Sequence, residues 1–391
     1  MRLLIIFSIL ALYSFSAVYP QLGVKATVLD EKDVPIPNAT VYNSVTKRSV
    51  MTNKEGRFAM DCRPNDAIAI RCLGYQEFNK AAGELQNDGA ITLTEAIVNM
   101  NEKSTDVKAI INNFLKKIPK NYPKEAAILS GIYKNMVQIE GECYGYVQSD
   151  VDILVDHITS RSFPAYKTKV YNLKASKHPD VEGVQMGITT NFYSQLWLLR
   201  HSFLWNFTRF EYRNKGTINY NGSKLARITF EPDQIDKSLR QYAGTMYIDL
   251  KTYALVYLQY ELLHSATDYV LVDGRRNKPL KEDIRVMYEK NKGKYYPVYI
   301  INEGSLACFG SEMGIAALKE KDTVTEEFTY IFYVRDIKTD TKGFVENCQF
   351  YHELNPELMV KVEQTEDIKT EDFILETEKE KQLEKRYWKL K

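Results

Sequence analysis

Residues 30–60, DEKDVPIPNATVYNSVTKRSVMTNKEGRFAM, decide how the first part of the chain folds. Acidic turn formers and two prolines crowd 30–38, so the chain has to reverse there. Just before this turn Val24, Ala26 and Val28 alternate with Lys25, Thr27 and Leu29, the period of a half-buried strand. After it Ala39, Val41, Asn43 and Val45 fall on one face, and Asn53, Glu55 and Gly56 stand between two apolar runs as a hairpin turn. Further on, DAIAIRCLGYQEF (66–78) alternates again, broken by Gly74, and ITL (91–93) makes a last short strand. About seven short strands in roughly 75 residues predict a seven-strand, immunoglobulin-like β-sandwich.

The order of strand, PIPNATV turn, T-N-x-E-G-x-F hairpin and LGY (73–75) resembles the carboxypeptidase-regulatory-like domains, transthyretin-like sandwiches of Gram-negative envelope proteins. The resemblance covers about a fifth of the chain and implies a structural or binding appendage, because such modules sit beside unrelated partners. KIPKNYP (117–123) also fits the way such chains continue into a β-rich region that has no characterised activity.

The 391 residues leave room for two folded domains. A net charge of +1, from 52 basic against 51 acidic side chains, with no basic stripe, argues against nucleic acid as a partner. The chain carries 27 Tyr and 17 Phe against 12 Pro, which suits tall antiparallel sheets. Core and cross-strand packing accounts for that aromatic load, and sugar stacking is the sharper alternative.

Export follows from the first twenty residues. Arg2 precedes the apolar run LLIIFSILAL, and small residues follow at Ser14, Ser16 and Ala17, so 1–20 reads as a signal peptide. The run is too short to span a bilayer permanently, and no later segment reaches the ~18 apolar residues of a transmembrane helix. A periplasmic, outer-membrane-associated or cell-surface product is expected. Cys62, Cys72, Cys143, Cys308 and Cys348 are too scattered for a disulfide scaffold, and bridging of Cys62 to Cys72 is not expected across a tight hairpin.

Beyond the 21–97 sandwich, a linker and amphipathic helix occupy 98–124. Val107, Ile110, Ile111, Phe114, Leu115 and Ile118 recur at helical spacing, with Ser104 or Thr105 as the cap and Pro119 as the stop. Residues 125–355 read mostly as strand, with turns at Glu140–Gly141, Gly222, Lys251 and Asn302, giving an α+β domain on a long-stranded antiparallel sheet or half-barrel. GTMYIDLKTYALVYL (244–258) resembles hairpins of lipoprotein-carrier half-barrels, which implies either a hydrophobic-ligand pocket or a filled core. NFYSQLWLLRHSFLWNFTRF (191–210) is apolar nearly all round and predicts a helix, either buried cover or a lid whose Trp197, Phe203, Trp205 and Phe207 touch a ligand. The charged tail, 356–391, with acids early and bases late, predicts a terminal helix, with disorder or partner binding as the alternatives.

No catalytic, metal or cofactor signature stands in the sequence. The five His stand alone, without H-E-x-x-H or H-x-H spacing, and neither G-x-S-x-G nor a phosphate-binding Gly-rich loop is present. The expected function is therefore a non-catalytic envelope module that binds or scaffolds an envelope protein or a glycan. The alternatives are a periplasmic carrier of a hydrophobic or lipid-like ligand, and an enzyme of unrecognised type.

Overall fold

A computed structural model describes residues 22–85, 87–96, 98, 106–156, 158–159, 166–177, 190–198, 202–204, 206, 208–236, 239–265, 269–272, 275–313 and 318–344. These form two compact units, the first ending at Ile97 and the second beginning at Val98.

The first unit has seven strands: β1 (Leu22–Leu29), β2 (Thr40–Asn43), β3 (Ser49–Met51), β4 (Arg57–Cys62), β5 (Ala67–Arg71), β6 (Phe78–Ala81) and β7 (Gly89–Thr92). They make a three-stranded sheet, β4-β1-β7, and a four-stranded sheet, β3-β2-β5-β6. Val24, Val28, Phe58 and Met60 from the first sheet share one buried cluster with Val41, Ile68 and Ile70 from the second. The turn residues act as their chemistry requires. Asp30 Oδ1 accepts the amides of Lys32 and Val34, and Asn53 Oδ1 accepts those of Glu55 and Arg57. Gly56 sits at φ 72°, where a Cβ would lie 2.4 Å from the Val28 carbonyl oxygen. The strand expected to reach Val45 stops at Asn43, whose Oδ1 accepts the amides of Val45 and Thr46 while its Nδ2 donates to Asp66. That Asx turn leaves Val45 57% exposed. The Cys62 thiol donates to the Met60 carbonyl and the Cys72 thiol to that of Leu73, so the two are thiols and not a bridge.

The second unit opens with α1 (Val107–Asn121). Its cap is Asp106, which accepts the Lys108 amide, and not the expected Ser104 or Thr105. Pro119 lies inside the last turn and the helix runs two residues past it; Lys294 Nζ caps the end on the Lys120 carbonyl. The strands are β8 (Ala127–Ile139), β9 (Glu142–Val155), β10 (Tyr166–Lys177), β11 (Phe210–Tyr220), β12 (Ser223–Pro232), β13 (Gln241–Asp249), β14 (Leu255–His264), β15 (Val270–Val272), β16 (Arg275–Asn291), β17 (Lys294–Cys308) and β18 (Val324–Lys338). Ten of them join in the order β10-β9-β8-β18-β17-β16-β14-β13-β12-β11, with β15 beside β16, as one antiparallel sheet that does not close. Its two edges, β10 and β11, are consecutive in the chain.

Tight turns with positive φ fall at Glu140–Gly141, Asn221–Gly222 and Lys292–Gly293, matching the right-handed twist of the strands they join. Asn302 is not a turn. It lies mid-strand in β17, fully buried, opposite Ile284 and Tyr330, with its amide donating to Glu282. A polar side chain inside a hydrophobic run reads as a break in the sequence; here a carboxylate on the neighbouring strand accepts its amide and the strand continues.

One face of the sheet, here the inner face, carries the core. Ile110, Ile111, Phe114 and Ile118 of α1 meet Leu129, Val151, Ile228, Ile248, Ile284 and Ile300 there. Tyr122, fully buried after α1, accepts the Leu255 amide and so ties the helix to the β13–β14 turn. Among the described residues the helix expected over 191–210 is not continuous: α2 (Thr190–Gln195) ends before Leu196, and Ser202–Leu204 form a 3-10 turn. Phe192 packs against Tyr133 and Phe332 over one part of the sheet, whereas Phe203 packs against Phe230 and Tyr260 over another. The helical run ends where the Leu198 amide donates to the Ile158 carbonyl.

Candidate functional site

Phe230 on β12, Gly244 on β13, Tyr260 on β14 and Ile284 on β16 stand directly opposite one another on the inner face. At Gly244 a Cβ would lie 2.2 Å from the Gln259 carbonyl oxygen and 2.7 Å from Tyr260 Cα, so this position stays bare. Phe203 contacts the rings on both sides of it. It stacks on Phe230 at 4.2 Å between centroids with 18° between planes, lies tilted 5.2 Å from Tyr260, and meets Phe210 edge-on at 6.1 Å. Tyr212 Oη donates to the Phe203 carbonyl at 2.5 Å and fixes the turn. Burial holds the Tyr212 phenol well above its ordinary range, so it stays a donor at any physiological pH.

A cavity of about 510 Å³ opens beside Phe203, within the size range of small-molecule sites. Phe203, Phe210, Tyr242, Tyr260, Ile284 and Leu239 form its apolar wall; Arg209, Asp233, Gln234, Asp236, Arg240 and Gln241 form a polar rim carrying both charges. The phenols of the wall point their polar ends away into hydrogen bonds. Tyr260 donates to Gln195 Oε1 of α2 at 2.6 Å, and Tyr242 donates to the buried Glu282 at 2.7 Å. The rim is braced by Gln241, which accepts the Asp236 amide and donates to the Gln234 carbonyl, and by the Asp233 amide on the Arg209 carbonyl. Ile235 and Leu239 on the same loop are 51% and 46% exposed. Such a site can hold an apolar body against aromatic walls with a polar end at the mouth.

Of the residues singled out in the sequence, Phe203 is in the cavity wall, and Trp197, half-buried after α2, is not one of the lining residues. Trp205 and Phe207 lie outside the described residues, as do Cys348 and the tail 356–391. Phe210, Tyr242, Tyr260 and Ile284 escaped notice because each reads as an ordinary alternating strand residue. The available signal was the loop between two strong strands, 233–240, in which Ile235 and Leu239 interrupt a polar run. Among the described residues no three His, Cys, Asp or Glu side chains gather as a metal site.

No family model matches the chain, and no curated protein matches it. Solved structures do. The chain is similar to a DUF1329 family protein from Desulfovibrio piger, with 10% identity over 60% of this chain and 94% of that one and a TM-score of 0.29. It is similar to a LolA superfamily protein from Nitrosomonas europaea, with 9% identity over 60% and 94% of the two chains and a TM-score of 0.23. A third is the MucA/MucB complex of Pseudomonas aeruginosa, with 9% identity over 57% and 93% and a TM-score of 0.19. All three superpositions are loose. The carboxypeptidase-regulatory-like resemblance of 22–94 has no counterpart among these matches.

Proposed function

We propose that the second unit is a non-catalytic envelope module that binds a hydrophobic or lipid-like ligand in the cavity beside Phe203. The observation that carries this is a cavity of about 510 Å³ walled by Phe203, Phe210, Tyr260 and Ile284 and mouthed by Arg209, Asp233 and Arg240. The apolar part of the ligand lies on the rings, and its polar end meets the rim charges. The module works in an exported protein, following the signal-like residues 1–20, with the first unit as a transthyretin-like sandwich appended to it. We assign no catalytic step, since the wall phenols are committed to Gln195 and Glu282.

Native mass spectrometry of the mature protein, purified gently from its own envelope, tests this. An added mass that organic extraction removes, and that Tyr260→Ala reduces, is the expected result. A clean mass from the envelope, with no uptake of a long-chain fatty acid or phospholipid by the extracted protein, refutes it.

A further inference from the structure

Three segments far apart in the chain meet at the C-terminal end of α1. Lys294 Nζ, at the start of β17, donates to the Lys120 carbonyl at 2.8 Å, and Asn121 Nδ2 donates to the Thr252 carbonyl of the β13–β14 turn at 2.9 Å. Thr252 Oγ1 in turn lies 3.4 Å from Tyr295 Oη, beside Lys294. Residues 116–125, 249–252 and 289–294 thereby come together, and they hold eight lysines, no arginine and three acids. Lys116, Lys117 and Lys120 are exposed on α1, Lys251 on the β13–β14 turn, and Lys290 and Lys292 at the β16–β17 turn. Of the acids, Asp249 is buried and its Oδ1 accepts the amides of Lys251 and Thr252, whereas Glu125 and Glu289 are exposed. In a chain with 52 bases against 51 acids this is a strong local excess, and it forms only when the three segments meet.

A helix C-terminus attracts cations, which accounts for Lys120 and Lys294 in the last turn of α1. It does not account for Lys251, Lys290 and Lys292, which stand on the two strand turns. Among the described residues these three, with Lys116, Lys117 and Lys120, enter no ion pair, so their field points outward to a partner. The residue types say which partner. An ammonium on a flexible stem is a point charge that follows mobile phosphates, whereas fixed bidentate recognition uses the arginine fork, absent here. Stacking on nucleobases or sugars needs an open ring, and the one aromatic residue of the three segments, Tyr122, is fully buried. Lysine clusters of about this number, without aromatic or arginine partners, suit the surface of an anionic bilayer.

We propose that the lysine end of the second unit, at the α1 C-terminus and the β13–β14 and β16–β17 turns, docks electrostatically on a bilayer that carries anionic phospholipid headgroups. Each lysine near such a surface raises partitioning roughly fivefold. β13 runs from Gln241 at the cavity mouth to Asp249 at the lysine end, nine residues and about 27 Å, so a docked molecule keeps its mouth clear of the surface. Docking of this kind is independent of what the cavity holds.

Co-sedimentation of the full chain with vesicles tests this. Binding is expected to vesicles of equal parts phosphatidylglycerol and phosphatidylcholine, not to phosphatidylcholine alone, and to fall as salt rises past ~0.15 M. The triple variant Lys117→Gln, Lys251→Gln and Lys290→Gln takes one charge from each segment and is expected to weaken binding on the order of a hundredfold at unchanged Tm. Lys278→Gln, Lys281→Gln and Lys319→Gln remove the same net charge at the other end of the sheet and are expected to leave binding within a few fold. Equal loss in the two triples means that binding follows net charge, and overturns the proposal. So does equal binding to phosphatidylcholine alone. Failure to bind the anionic vesicles, with retention of polyglutamate or of a DNA oligonucleotide that the first triple abolishes, assigns the lysines to a polyanion and overturns it as well.

Discussion

Phe203→Ala removes a ring that is 3% exposed and stacked between Phe230 and Tyr260, so it loses transfer energy and two ring contacts at once. Buried Phe→Ala changes cost about 3–5 kcal/mol, and ring pairs contribute roughly 0.5–1.5 kcal/mol each within that. Phe203 borders the cavity, however, so the neighbouring rim loop can relax into the space the ring vacates, and the loss belongs near 3 kcal/mol. Phe114→Ala is the matched control: this ring is fully buried between α1 and the sheet and edge-on to Tyr122, which puts its loss near 4–5 kcal/mol. For a unit of this size about 2–4 °C is lost per kcal/mol, giving a fall in Tm of about 6–12 °C for Phe203→Ala and a larger one for Phe114→Ala. Differential scanning calorimetry reads both. Uptake of a fluorescent fatty acid is expected to weaken tenfold or so in Phe203→Ala, about 1.4 kcal/mol, and to hold in Phe114→Ala above noise. If Phe203→Ala costs as much as Phe114→Ala and leaves uptake unchanged, Phe203 is plain core and the reasoning about the cavity wall fails.

Burial raises the phenol pKa of Tyr122, Tyr212 and Tyr288 above the ordinary value near 10, so the folded state holds these protons longer than the unfolded state. Their contribution is therefore complete below about pH 10 and is lost as pH climbs beyond it; urea midpoints should be flat through neutrality and fall in alkali, less steeply in Tyr288→Phe. Tyr242→Phe takes one hydrogen bond from the buried Glu282 and should cost about 1–3 kcal/mol in chemical denaturation, with no change if Glu282 is rehydrated instead. Gly56→Ala forces a Cβ to within 2.4 Å of the Val28 carbonyl at positive φ; a loss of about 1–3 kcal/mol is expected in the melting of the first unit, and an unshifted melt would contradict the geometry.

The cues legible in the sequence were those whose cause is local. Asp30, Asn53 and Gly56 announce their turns because the side chain or the missing Cβ acts on backbone two or three residues away. The stripe from Ile110 to Ile118 announces α1 because helical spacing is a property of one segment. The long antiparallel strands of 127–338 showed in the same way, through alternation and the Gly-containing turns at 141 and 222. Where local signals misled, a distant partner had taken over. Asn302 belongs to a strand, where Glu282 on β16 accepts its amide, and the helix expected over 191–210 ends where the Leu198 amide bonds the distant Ile158 carbonyl.

The candidate site lies wholly on that second side. Phe203, Tyr242, Tyr260 and Ile284 come from four segments up to 81 residues apart, and each alone is indistinguishable from filler. Sequence by itself determined the period of each strand, the place of most turns, the amphipathic helix and the absence of recognisable catalytic spacing, since these depend on residues a few positions apart. Strand order, the choice of which alternating face receives α1 and α2, and the space left beside Phe203 were decided only by tertiary structure. Pairing and packing depend on the shapes of segments that meet across the sheet, and no single segment encodes them.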